Sequence, residues 1–140
     1  MPWRSSGRSP GSFSSDVRVG LPQTPEVWRP PTDVFECDEA YVIKVAVSGL
    51  RRGPAGEIEN AEVIVEGNTV VIRGHVEDCC TPRKCSYYQM EISYGRFECR
   101  VEIDAPFDAS AIGAEYRDGF LSVTLPKRSP AAPRRIAVDR

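Results

Sequence analysis

The sequence predicts an all-β protein, an antiparallel sandwich of two sheets, on three observations. Apolar and polar residues alternate over several short runs, the period of a strand with one covered face. Two pairs of such runs are joined by Gly67-Asn68 and Asp118-Gly119, dipeptides that supply the positive φ of a tight hairpin. Helix signals are few, and the spacing of turn residues gives about seven or eight short strands.

Residues 1–31 show neither the helix nor the strand period and hold six of the 12 prolines, amid serines and glycines. They read as a flexible segment. Trp3, Phe13 and Trp28 are too far apart to form a core, and Val17, Val19 and Leu21 make the segment more adhesive than a plain linker. Two readings stand together: a loose tail, and a segment whose aromatics hold other chains.

From Thr32 the pattern becomes extended. Tyr41 to Val47 (Y-V-I-K-V-A-V) is rich in β-branched residues and predicts a strand covered on both faces, ending at the turn Ser48-Gly49-Leu50. Residues 51–60 form a polar loop. Ala61 to Glu66 and Thr69 to Val76 predict a hairpin, with Val63 and Val65 on one face of its first strand. Glu77 to Ser86 is a polar excursion that leads to Tyr87 to Ile92, a possible short strand. Gly95 to Ile103 alternates most clearly: Phe97, Cys99, Val101 and Ile103 face one way, Glu98, Arg100 and Glu102 the other. In the last hairpin Ile112, Ala114 and Tyr116 share a face, and Leu121, Val123 and Leu125 share another, until Pro126 removes a backbone donor. The domain is thus expected over 32–126, followed by a tail over 127–140.

Charge is divided among these parts. The net charge is −2, but residues 32–126 carry 9 basic against 17 acidic side chains, while 127–140 carry five basic residues against Asp139. An acidic body repels a phosphate backbone, so nucleic acid is not an expected partner of the folded part. The basic tail reads first as a solvated tether. No apolar run suits a membrane span or a signal-peptide core, which predicts a cytoplasmic protein without a membrane partner. Five cysteines, an odd count without framework spacing, fit a reducing compartment.

Three passages resemble one family. Ala114-x-x-x-Asp118-Gly119-x-Leu121, followed by Val123-x-Leu125-Pro126, resembles the closing signature of the small heat shock protein (α-crystallin) domain, with Asp where Asn is more usual. Asp also tolerates the left-handed conformation. Tyr41 to Leu50 is similar to the family's early strand and turn, with Ser48-Gly49 in place of its Pro-Gly step. Ser93-Tyr94-Gly95-x-Phe97-x-x-Arg100, with Ala105-Pro106 beyond it, is similar to its next strand. The likeness covers about residues 28–138 in the right order, on the bacterial and plant side of the family.

The resemblance implies an immunoglobulin-like sandwich and a homodimer that assembles into larger homo-oligomers. It implies that the loop residues Tyr87, Tyr88, Met90 and Ile92 pair with a partner subunit, and it places Arg100 near that dimer interface. The other reading of Arg100 is a solvated charge on a strand's wet face. Ile136 and Val138, two apart in a proline-flanked tail, resemble the family's C-terminal Ile-x-Val anchor. That anchor implies a groove on a neighbouring domain, lined by Val63 and Val65 on one side and by Ile112 and Ala114 on the other.

The residues for chemistry are missing. His75 is the one histidine, at a strand end, without a nucleophile motif, and there is no glycine-rich phosphate loop. No catalytic residue and no cofactor is expected. His75, Cys79, Cys80 and Cys85 could be assembled as a metal site, but adjacent Cys79 and Cys80 lack the usual gap, so no metal is assigned. Arg83 and Lys84 would favour thiolate in that loop, which leaves thiol oxidation as a competing reading. The expected function is an ATP-independent holding chaperone for partly unfolded proteins. The alternatives are a monomeric co-chaperone or adaptor sandwich, and a redox- or metal-responsive protein using the Cys79–Cys85 loop.

Overall fold

A computed structural model describes residues 17–20, 26–78, 84–128 and 137–138. Two four-stranded antiparallel sheets form the sandwich. One is ordered β1 (Val17–Gly20), β6 (Gly95–Ile103), β5 (Thr69–Val76), β4 (Ala61–Glu66). The other is ordered β2 (Thr32–Glu36), β3 (Ala40–Ala46), β8 (Phe120–Pro126), β7 (Gly113–Arg117). The all-β class is as the alternation predicts. A 3-10 turn, Ala109–Ala111, is capped by Asp108, whose carboxylate accepts from the Ser110 backbone N–H.

The strands form where a covered face meets a suitable turn. In β6, Phe97, Cys99, Val101 and Ile103 are buried, and they meet Tyr41, Ile43 and Val45 of β3 with Leu121, Val123 and Leu125 of β8 in one core. At about 25 cal/mol per Å² of apolar area, this interleaving is the chief source of stability. Both hairpin turns take the expected backbone. Asp118 and Gly119 have φ of 54° and 84°, while at Gly67-Asn68 only Gly67 is positive, at 60°. These are the I′ and II′ patterns that suit the right-handed twist of strands.

Gly74 marks a tight spot against backbone and ring. A Cβ there would lie 2.4 Å from the Asn60 carbonyl oxygen and 2.6 Å from Phe97 Cζ. The same Asn60 fastens the 51–60 loop to the body: its amide donates to the carbonyls of Gly49 (3.1 Å) and His75 (2.9 Å), and its oxygen accepts from the Arg51 N–H (2.7 Å).

The structure departs from the sequence reading within the N-terminal segment. Val17–Gly20 is a strand, paired antiparallel to β6 from Ile103 to Arg100, although the segment was expected to be flexible through residue 31. Four residues are too few to show a period, and their partner lies far along the chain. Tyr87 to Ile92, in turn, is not a strand within its own chain.

Candidate functional site

The outermost strands β4 and β7 belong to different sheets and border one cavity of about 370 Å³. Its apolar lining includes Ile58, Ala61, Val63, Ala114, Tyr116 and Leu121, while Glu57, Glu62, Glu115 and Arg52 supply charge. Val63 and Ala114 therefore stand on opposite sides of a single groove. Val65 and Ile112 are half-buried against the core beside it rather than on its wall.

Tyr116 holds the groove's shape. Its hydroxyl donates to the Val47 carbonyl at 2.8 Å, and Arg52 donates to its carbonyl while lying 6.0 Å from its ring centroid. These bonds bring the 51–60 loop over the β7 edge. The sequence reading of 51–60 as a polar loop misses Arg52 and Ile58, and it puts Tyr116 on the face of Ala114 without assigning it to the groove. The available signal was Ile58, a lone apolar residue in a polar stretch.

The loop residues carry apolar side chains into solvent. Tyr88 is 102% exposed, Met90 75% and Ile92 71%, with Tyr87 also exposed. β2 hydrogen-bonds only to β3, so its other side is an edge of the second sheet among the described residues. A run of β-prone side chains and an edge able to accept it are thus both present.

Arg100 projects from the outer face of β6, on the side of Glu98 and Glu102. Its Nε lies 3.5 Å from Glu98 Oε2, with the side chain 26% exposed, and this Nε is buried without a hydrogen-bond acceptor. Trp28 is not an exposed tail aromatic. Its ring is half-buried, 5.9 Å from the Phe97 ring, and its backbone bonds to β6. Grouping Trp28 with Trp3 and Phe13 as a client-holding aromatic is therefore corrected: Trp28 closes one end of the core. Trp3 and Phe13 lie outside the described residues, as does Ile136; Val138 is 92% exposed.

His75 Nδ1 sits 3.7 Å from Glu77 Oε1 on an exposed strand end, opposite Arg96. Cys79 and Cys80 lie outside the described residues, and among the described residues no cluster of His, Cys, Asp and Glu could hold a metal. Cys85 and Cys37 are exposed, whereas Cys99 is buried; desolvation pushes its thiol pKa up, with the Thr32 hydroxyl opposing. No helix among the described residues is long and apolar enough to cross a membrane.

Comparisons with known proteins agree on one family. The sequence model of the Hsp20/alpha crystallin family matches residues 33–139. The 18.1 kDa class I heat shock protein of Oryza sativa subsp. japonica is 31% identical over 134 residues, which cover 94% of this chain and 80% of that one. Small heat shock protein C2 of Rickettsia felis is 26% identical over 109 residues, covering 78% of this chain and 67% of the relative. The chain spans about two thirds of the length of that relative and of two further bacterial ones. Among solved structures, a small heat-shock protein from Xylella fastidiosa superposes with a TM-score of 0.66 at 28% identity, covering 81% of this chain and 98% of that one.

Proposed function

Because this chain belongs to the Hsp20/alpha crystallin family, we propose that it is an ATP-independent holding chaperone, built as a dimer and assembled further through its tail. The family consists of small heat shock chaperones, which are not enzymes. The observation that carries the reading is the apolar surface left open by a sandwich whose core is otherwise complete. Tyr88, Met90 and Ile92 stand in solvent, and the groove between Val63 and Ala114 has an apolar lining. Large exposed apolar surface marks sites of association.

The mechanism needs no reacting group. Partly unfolded proteins expose apolar segments that collapse irreversibly when they meet each other. A protein that covers those segments reversibly draws the unfolded chain out of aggregation by mass action. In this proposal Tyr87 to Ile92 adds to the β2 edge of a partner subunit, hiding an edge that would otherwise aggregate. Ile136 and Val138 enter the groove of a neighbour, each anchor contributing about 1.5–3 kcal/mol before ordering costs. Such contacts are weak singly and strong in number, so subunits exchange while the assembly persists. Arg100 lies near the dimer contact, and Trp3 and Phe13 serve clients.

The test is light scattering of a thermally unfolding client with and without ATP. Suppression of scattering at near-stoichiometric chain, unchanged by nucleotide, is expected. Undiminished scattering excludes holding, and suppression that requires ATP excludes this mechanism.

A further inference from the structure

The edge of β6 that faces away from β5 is covered by the chain's own N-terminal part, in two pieces. The Glu98 N–H donates to the Trp28 carbonyl at 3.0 Å, and the Trp28 N–H donates to the Arg96 carbonyl at 3.0 Å. Even-numbered amides of β6 therefore point to this edge. Beyond Glu98, β1 takes over, with Gly20 opposite Arg100, Val19 opposite Val101, Arg18 opposite Glu102 and Val17 opposite Ile103.

The second piece fits poorly. Val19 lies on the face of Val101, which is fully buried, yet is itself 45% exposed, and Arg18 is exposed. Only Val17 packs against the core. Gly20 offers no side chain, and a Cβ there would approach Arg100 Cβ to 3.3 Å. The neighbouring Arg100 Nε remains buried without an acceptor. Short strands with few buried contacts open locally at low free energy.

We infer that the β6 edge from Arg100 to Ile103 is an acceptor site for an extended apolar segment of a partly unfolded protein, and that β1 is its internal occupant. This rests on the holding function proposed above. The seated β1 displays what the edge takes: an extended antiparallel strand with apolar side chains at alternate positions, above Val101 and Ile103, and a small residue beside Arg100. A client residue at the place of Val19 that reaches further over Val101 would bury more of its own side chain than Val19, which is 45% exposed, does. A second copy of this chain would bring the same β1 and gain nothing over the copy already seated. The favoured occupant is therefore a client segment.

The pairing geometry supplies the experiment. Because the Arg100 and Glu102 amides face β1, Val19 and Val101 form a non-hydrogen-bonded pair, the closer of the two antiparallel kinds and suited to a disulfide. In the full chain, with its five natural cysteines replaced by serine or alanine, V19C/V101C locks β1 in place on oxidation. The probe is fluorescently labelled, reduced and carboxymethylated α-lactalbumin, which stays unfolded. Oxidation should weaken probe binding about tenfold, and dithiothreitol should restore it. A second measurement needs no substitution: hydrogen exchange in the natural chain should show Arg100 and Glu102 amides slowed by the probe, with those of Val101 and Ile103 unchanged. Equal binding by locked and reduced forms overturns the site while leaving holding intact, and so does exchange at Arg100 and Glu102 that the probe does not alter. A natural chain that binds no probe overturns holding and the site together.

Discussion

The hydroxyl of Thr32 lies 3.2 Å from the sulfur of Cys99, a polar contact between the two sheets across the edge of an otherwise apolar core. The same hydroxyl donates to the Pro30 carbonyl at 2.9 Å, fixing the chain where it enters β2. Burial is the larger influence on the thiol and raises its pKa. Cys99 should therefore resist alkylation in the folded protein while exposed Cys37 reacts, as mass spectrometry after a timed iodoacetamide pulse would show. Thr32→Val should cost about 0.5–1.5 kcal/mol in urea unfolding.

The same shift sets the alkaline limit. The unfolded chain releases the thiol proton above roughly pH 8.5 while the folded chain keeps it, so stability from Cys99 is complete below that value and falls as pH rises above it. On the acid side, Glu36 is held below its ordinary pKa, first by the Lys127 hydrogen bond, and Asp108 first by Ser110. Stability from these carboxylates is present above roughly pH 4 and is lost as pH falls further. Urea midpoints across pH should form a plateau with both shoulders, and Cys99→Ala should remove part of the alkaline one.

Gly74→Ala should destabilise by about 1–3 kcal/mol, because the added methyl meets the Asn60 carbonyl and the Phe97 ring. A thermal melt checks this. An unchanged midpoint would mean that Asn60 and the loop it fastens move aside freely.

Much of this architecture was legible in the residues. The two hairpins follow from alternation beside Gly67-Asn68 and Asp118-Gly119, because turn backbone and strand period are local properties. β1 was not legible, since its four residues carry no period and its partner, β6, is distant in sequence. Trp28 looked like a tail aromatic for the same reason: only the fold brings it onto Phe97. The run from Tyr87 to Ile92 has strand-forming side chains, but a strand also needs an accepting edge, which no sequence pattern reports. The groove came from family likeness; the fold brings Val63 and Ala114 together and adds Arg52 and Ile58 from the 51–60 loop, which spacing alone could not.

The groove and the tail should give one phenotype. Ala114 is exposed, so Ala114→Arg should leave the domain folded while blocking the cavity it lines with Val63. I136A/V138A should remove the anchor from the other side. Both variants should sediment as small species, each buried anchor lost costing about 1.5–3 kcal/mol per contact. A wild-type mass in either would remove the groove from the assembly contact.

Shortening the loop between Glu77 and Tyr94 should give monomers or soluble aggregates, because the β2 edge then lacks its added strand. Sedimentation equilibrium decides this, and a stable dimer in the shortened chain would assign the interface elsewhere.

Holding itself is tested most directly by sedimentation velocity of the chain with reduced α-lactalbumin in nucleotide-free buffer, reading the client by a fluorescent label. The labelled client should move into a fast boundary together with the chain and stay soluble. A client that pellets alone, leaving the chain's own boundary unchanged, would contradict holding.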